Sequence, residues 1–166
     1  LALEGLRLVG RWLPVAVAEP SNLEARGAML AGSCLSGIAF LKGLGLVHAI
    51  SHMVGAEYDT QHGLTNAVVL PAALRHNAPA LADKIEPLSQ AMGLRDTSFE
   101  AFYAHVCAIL DQVGIPKTLT DIGVPSDCAA RIADKALQDS AAGTNACALT
   151  AQDIERVIAV ALTKGR

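Results

Sequence analysis

The chain is 166 residues long, which is about the length of one domain and enough to bury a core. Its net charge of −3 provides no basic surface for nucleic acid, so we exclude nucleic acid as a partner. The longest uncharged run, residues 27–41, is shorter than the roughly twenty residues needed to cross a bilayer, and we expect no membrane segment.

The composition favours helices over strands. Hydrophobic residues make up 52% of the chain but aromatic residues only 4%, so Ala, Leu, Ile and Val must build the core. Strands are enriched in aromatic and β-branched side chains, whereas small and unbranched residues suit helices. We therefore expect one all-α domain over 1–166, a helical bundle of about seven to eight helices, with much of its surface covered by another body.

Eight segments in chain order show helical periodicity and no stretch alternates long enough to predict a sheet. The predicted helices are 2–13, 22–41, 46–56, 62–77, 79–93, 98–114, 127–141 and 150–162. Residues 115–127, with two prolines, are predicted to form a connector.

Local signals fix several of the predicted helix ends. Pro14 is expected to end the first helix, Ser21 or Asn22 to cap the second, and Thr150 to cap the last. The second helix also carries Gly27, Gly32 and Gly37 at intervals of five. Because glycine weakens a helix, we expect these three to mark the close approach of another backbone.

The four cysteines are widely spaced and form no CxxC pair; they are Cys34, Cys107, Cys128 and Cys147. Such a pattern is typical of reduced thiols in a cytoplasmic protein, and we expect that location.

Three of the five histidines fall within "GLVHAISHMVGAEYDTQHG", residues 45–63. His48 and His52 are four apart, so they share one face of a helix. The short return "GAEYDTQ" can bring His62 to the same face. Imidazole nitrogen binds Zn, Fe, Cu and Ni, so the H-x3-H-x9-H spacing is consistent with a metal site. Histidines that only hydrogen-bond to the backbone, in the core or at the surface, remain the alternative.

Other polar residues near this window have weaker claims. Asn66 lies one turn after His62, and we interpret it as a buried amide that bonds to backbone near the site. Glu57, Asp59 and Asp83 could orient a ligand histidine, although solvated surface carboxylates are the simpler interpretation. His76 and His105 are interpreted as surface residues.

"GLGLVHAISHMVGAEYDTQHGLTNAVVLP" (43–71) closely resembles the histidine-rich signature of iron-containing alcohol dehydrogenases, the group III family. "GIPKTLTDIGVP" resembles that family's late connector, and "TNACALTAQDIERVIAVAL" resembles its C-terminal end. The resemblance extends over nearly the whole chain, with the glycines, the histidines, Asn66 and Pro71 in register.

The resemblance implies a function and a set of site residues. Members have an N-terminal α/β domain that binds NAD or NADP, and a C-terminal all-helical domain that holds a divalent metal, iron or zinc. His48 and His62 match two metal ligands, and His52 matches a histidine that faces the active cleft, a candidate proton relay. The substrate class is a small-molecule alcohol, aldehyde or ketone, and members are often dimers, so we expect a homo-oligomer.

The remaining two ligands of that family, an Asp and a His, and the nucleotide-binding domain match no part of this sequence. We therefore expect the chain to be a fragment, the C-terminal domain alone, with weak metal binding and little or no dehydrogenase activity in isolation. The alternative hypothesis is a free-standing, non-catalytic helical binding or assembly module derived from that domain, which would self-associate.

Overall fold

The computed structural model describes all residues 1–166 and contains eight α-helices, four short 3₁₀ helices and no β-strand. The α-helices are α1 (Ala2–Ala18), α2 (Leu23–Ala39), α3 (Leu46–Tyr58), α4 (His62–Asn77), α5 (Ile85–Ala91), α6 (Phe99–Gln112), α7 (Ala129–Leu137) and α8 (Ala151–Thr163). The 3₁₀ helices are Phe40–Lys42, Ala78–Leu81, Thr120–Ile122 and Ala142–Thr144. The predicted all-α fold of seven to eight helices is confirmed.

The chain divides into two compact units. One comprises residues 1–42 and 81–114 and holds α1, α2, α5 and α6; the other comprises residues 43–80 and 115–166 and holds α3, α4, α7 and α8. All three histidines of the candidate site lie in the second unit. The expectation that the whole chain behaves as a single domain stays a prediction.

In the first unit α1 packs closely against α2 at positions occupied by glycine, which has no side chain. A Cβ on Gly5 would lie 2.5 Å from Ser36 Oγ, and one on Gly32 would lie 3.0 Å from Val9 Cγ2. The predicted close approach is therefore correct at Gly32. It is wrong at Gly27 and Gly37, where an added Cβ would meet nothing within 4 Å, because both lie on faces of α2 that no neighbour covers.

The predicted end of the first helix at residue 13 is wrong, since α1 continues through Pro14 to Ala18. An interior proline removes one backbone hydrogen bond and costs about 3 kcal/mol. The turns beyond it still form, and the N–H of Glu19 donates to the carbonyl of Val15 at 2.8 Å. Packing along α2 outweighs the local penalty, as tertiary contacts commonly do in helices.

The predicted helix 79–93 is also wrong, because it is split into the 3₁₀ helix Ala78–Leu81 and the short helix α5. One continuous helix would place Pro87 in its interior, where its ring clashes with the carbonyl of Asp83. A start at Ile85 puts Pro87 in the first turn, where no N–H is needed.

The second unit has a core of aliphatic side chains from all four of its helices, which includes Ile50, Val68, Ile132 and Ile158. The predicted connector 115–127 packs onto α8, and the N–H of Leu119 donates to the carbonyl of Ala161 at 2.8 Å. Leu119 itself is fully buried, so the connector forms part of this core.

Two predicted caps are confirmed. The Asn22 side chain accepts a hydrogen bond from the N–H of Ala25 at the start of α2. Thr150 and Asp153 form a reciprocal capping box at the start of α8.

No single helix is long and apolar enough to cross a membrane. One consecutive pair, Leu23–Lys42 with Leu46–Tyr58, reaches that length and composition only when the two are taken together.

Candidate metal centre

The hairpin of α3 and α4 brings three imidazole rings together. Ring centres are 5.3 Å apart for His48 and His62, 5.5 Å for His52 and His62, and 5.7 Å for His48 and His52. The i, i+4 spacing aligns the two histidines of α3, and the start of α4 supplies the third. The predicted convergence of these residues is present in the structure.

A tight turn between the helices makes this convergence possible. Asp59 ends α3 in the left-handed region, with φ +53°, and its N–H donates to the carbonyl of Gly55. Gln61 then caps α4, since its side chain accepts a hydrogen bond from the N–H of Leu64. The hydroxyl of buried Thr65 donates to Thr60 Oγ1 at 2.7 Å, which fixes the return. Three residues therefore suffice to place His62 beside α3.

The Asn66 side chain lies between two of the three rings. Its Nδ2 is 3.0 Å from His62 Nε2 and 3.4 Å from His48 Nε2, and its Oδ1 is buried without a hydrogen-bond partner. The interpretation of Asn66 as an amide bonded to backbone is therefore wrong, because the rings, and not a carbonyl, are within its reach. The Nε2 atoms of His48 and His62 therefore both face the same atom, Asn66 Nδ2.

His52 has a carboxylate partner on another element. Its Nδ1 is 3.0 Å from Oδ2 of Asp139, whose side chain is only 13% exposed. Since an ionised carboxylate only accepts, Nδ1 carries the proton and Nε2 is left with its lone pair. Oδ1 of Asp139 accepts the N–H of Ala141, which holds the carboxylate in place.

The placement of Asp139 depends on a helix ending earlier than expected. The predicted helix 127–141 is wrong at both ends, and α7 stops at Leu137. Asp139 is thereby released from the helix into a turn in which its side chain bonds to a nearby N–H, as Asp does readily in turns. Sequence reasoning missed Asp139, and only the turn-like "QDSAAG" could have indicated it.

The electrostatic environment favours the neutral form of His48. The pKa of His48 lies below its ordinary value, mainly because the ring is partly buried and further because His62 and His52 would repel a positive charge; Asp139 opposes the shift. Neutral imidazole is the form that binds metal. The neighbouring side chains thus favour the neutral form of His48, which can bind a metal.

The donor set fits a divalent metal, since iron and zinc both accept imidazole nitrogen. His48 and His62 would hold it through their Nε2 atoms, which both lie beside the Asn66 side chain. No group of three or more His, Cys, Asp or Glu side chains in the chain is placed to hold a metal ion by itself. The second unit therefore offers part of a coordination sphere.

The weaker candidates lie elsewhere. Glu57 pairs with Arg131 at 2.6 Å and Lys135 at 2.7 Å on α7, and Asp59 and Asp83 are exposed. His76 is half-buried near Cys147 at the end of α4, so it is exposed only in part. His105 is likewise half-buried, on α6.

The family model described as Fe-containing alcohol dehydrogenase family, C-terminal, matches residues 1–162. The 1,3-propanediol dehydrogenase of Klebsiella pneumoniae is 38% identical over 151 residues, which cover 87% of this chain and 39% of that protein. The NAD-dependent methanol dehydrogenase of Bacillus methanolicus is 33% identical over 168 residues, which cover 97% of this chain and 44% of that protein.

Solved structures agree with these sequence relatives. A 1,3-propanediol oxidoreductase crystal structure matches with a TM-score of 0.93 at 35% identity, covering 96% of this chain and 44% of that one. The alcohol dehydrogenase from Oenococcus oeni matches with a TM-score of 0.91 at 32% identity, covering 96% and 43%. The chain spans less than half the length of these relatives.

Proposed function

The chain belongs to the Fe-containing alcohol dehydrogenase family and matches its C-terminal region. From that premise we propose that it is the metal-binding domain of an NAD(P)-dependent alcohol dehydrogenase. The reaction is hydride transfer between a small alcohol and its aldehyde or ketone. The observation that carries the proposal is the clustering of three imidazole rings, in which His48 Nε2 and His62 Nε2 both face the Asn66 side chain.

The metal, iron or zinc, would be held by His48 and His62, and when bound it supplies a Lewis acid for the alcohol or carbonyl oxygen. The remaining ligands and the NAD or NADP site belong to parts of the protein outside these 166 residues. The similarity to the NAD-dependent methanol dehydrogenase of Bacillus methanolicus supports NAD as the cofactor. Names such as 1,3-propanediol dehydrogenase and lactaldehyde reductase support short alcohols and aldehydes as the substrate class.

His52 moves the proton. Oxidation of an alcohol requires the loss of its hydroxyl proton, and an imidazole can accept it near neutral pH. The Nδ1–H of His52 is held by Asp139, so Nε2 presents the lone pair that takes the proton. The carboxylate of Asp139 then stabilises the imidazolium that forms. His52 acts directly, and Asp139 is a positioning residue.

Two further features concern the whole protein. Large apolar side chains are exposed on α2 and the segment after it; they include Leu23 at 81%, Leu30 at 74% and Leu41 at 90%. Exposed apolar area of this kind is commonly buried in an interface, which supports a homo-oligomer, a dimer in the first instance.

None of the four cysteines forms a disulfide, which supports a reducing compartment, the cytoplasm.

The test uses the protein at its natural length and substitutes one histidine at a time. We expect His48→Ala and His62→Ala to abolish metal-dependent alcohol oxidation with NAD or NADP. The matched control is His105→Ala on α6, which should retain turnover. Unchanged turnover in His62→Ala would refute the proposed site.

The same exposed apolar side chains favour a second candidate, a non-catalytic assembly module. That candidate predicts self-association of the 166-residue chain without any metal-dependent turnover at the natural length. Both candidates predict self-association, so the turnover assay at the natural length separates the two.

A further inference from the structure

A second group of polar side chains lies at the opposite end of α4 from His62. It consists of His76, Asn77, Asn145 and Cys147, and we refer to it as the thiol cluster. The Cys147 thiol donates to Asn77 Oδ1 at 3.3 Å and lies 3.6 Å from His76 Nε2, and Asn145 Nδ2 donates to the sulfur at 3.5 Å. The thiol thus has an amide oxygen and an imidazole nitrogen as neighbouring acceptors and an amide as a donor.

The thiol cluster opens onto a cavity. Asn145, Cys147 and Leu149 contribute to the lining of a cavity of about 450 Å³, and Cys147 is half-buried. Sites for small molecules commonly have volumes of about 300–1,000 Å³. The cavity is therefore large enough for a small reagent to approach Cys147.

The chemistry of these neighbours suits a nucleophilic thiol. An imidazole beside a thiol can accept its proton, and a thiolate is the reactive form of cysteine. Cys128 lacks such a cavity position, and burial raises the pKa of its thiol. His76 in turn lies near the carboxylate of Asp153, which is bonded to Thr150 and paired with Arg156.

The same cluster is joined to the helix that carries two of the site histidines. Asn145 Oδ1 accepts the N–H of Leu46, the first residue of α3, at 3.1 Å. The side chains of Asn145 and Asn77 also bond to each other twice, at 2.8 and 3.0 Å. A Cβ on Gly45 would lie only 3.1 Å from Asn145 Oδ1, so the fit is tight. Asn145 therefore caps α3 from a position far along the chain.

We propose that Cys147 is a redox-modification site that exchanges with low-molecular-weight disulfides of the glutathione type. Its sulfur attacks one sulfur of the disulfide, so that a mixed disulfide forms, the original S–S bond breaks and a thiolate leaves. The proton of Cys147 passes through His76 Nε2 to the leaving thiolate, and no other oxidant is needed.

The group added to Cys147 displaces the Asn145 side chain and removes the cap of α3. The modification thereby loosens the first turn of α3, which positions His48. The thiol reactivity is independent of the proposed dehydrogenase function; only an effect on metal binding would rest on it.

The reactivity is tested with oxidised glutathione on the natural-length protein, with peptide mass spectrometry to follow each cysteine. We expect Cys147 to react about tenfold faster in the folded protein than in urea, and His76→Gln to remove most of that difference. Slower reaction of Cys147 in the folded protein than in urea would overturn the proposal. That comparison uses the unsubstituted protein and needs no variant to fold.

The coupling to α3 is tested by amide hydrogen exchange before and after glutathionylation. We expect faster exchange in the first turn of α3, residues 46–49, and unchanged exchange in the buried part of α8, residues 157–162. Unchanged exchange at α3 in protein fully modified at Cys147 would overturn the coupling.

Discussion

The side chains of His52 and Asp139 meet at 3.0 Å, between Nδ1 and Oδ2, although 87 positions separate them in the chain. The contact joins α3 to the turn after α7 and fixes which ring nitrogen of His52 carries the proton. A histidine oriented in this way is prepared to accept a proton at its other nitrogen.

This relationship predicts the effect of Asp139→Asn in the natural-length protein. The amide keeps the shape of the side chain but no longer stabilises the imidazolium, so we expect turnover to fall about 10- to 100-fold. Metal content should stay unchanged. The matched control is Asp134→Asn, an exposed carboxylate on α7, which should behave as the unsubstituted protein. Equal turnover in both variants would show that Asp139 has no part in proton transfer.

Asn145→Ala tests the long-range cap of α3. The substitution removes hydrogen bonds to Leu46, Asn77 and Cys147, so we expect a loss of about 1–2 kcal/mol in the free energy of unfolding. Urea denaturation measures the loss, and the exposed Gln138→Ala on the adjoining segment is the control. A variant as stable as the control would mean that α3 does not depend on this cap.

Thr150→Ala tests the capping box of α8. The Thr150 hydroxyl bonds to Asp153 Oδ2 at 2.6 Å and accepts the N–H of Asp153 at 3.2 Å. Loss of such a cap costs about 1 kcal/mol, which thermal unfolding should detect as a lower Tm. Thr163→Ala is the control, because that hydroxyl bonds only to a carbonyl of its own helix. The account is contradicted if both variants melt at the same temperature.

Glu57→Gln tests an ion-pair network between α3 and α7. Hydrogen bonds from Lys135, Arg131 and Tyr58 lower the pKa of Glu57 from 4.5 to about 2. A lowered carboxyl pKa gives stability that is present above pH 4.5 and is lost as the pH falls towards 2. The difference in unfolding free energy between the native protein and Glu57→Gln should therefore shrink between pH 5 and pH 2. A difference that stays constant over this range would contradict the network.

The sequence predicts those features that depend on nearby residues. The helices follow from periodicity, the α3–α4 hairpin follows from the spacing of His48, His52 and His62, and the capping box follows from Thr150 and Asp153. The predicted helix bounds are wrong near two prolines. At Pro14 packing carries the helix past the proline, and at Pro87 the proline ring determines where α5 begins.

Other features depend on contacts between distant segments, for which one sequence holds no signal. Asp139 meets a helix 87 residues earlier, and Asn145 caps a residue 99 positions away. Both lie in turns whose local sequence predicts only a loop. The sequence places Asn66 one turn after His62, but its bonding to both His48 and His62 depends on how α3 packs beside α4.

The most direct test of the central claim is the metal content of the natural-length protein after dialysis, measured by mass spectrometry of the elements. We predict about one divalent ion per chain in the native protein and in His105→Ala, and almost none in His62→Ala. A His62→Ala protein that is folded and retains the native metal content would contradict the assignment of this cluster as the metal centre.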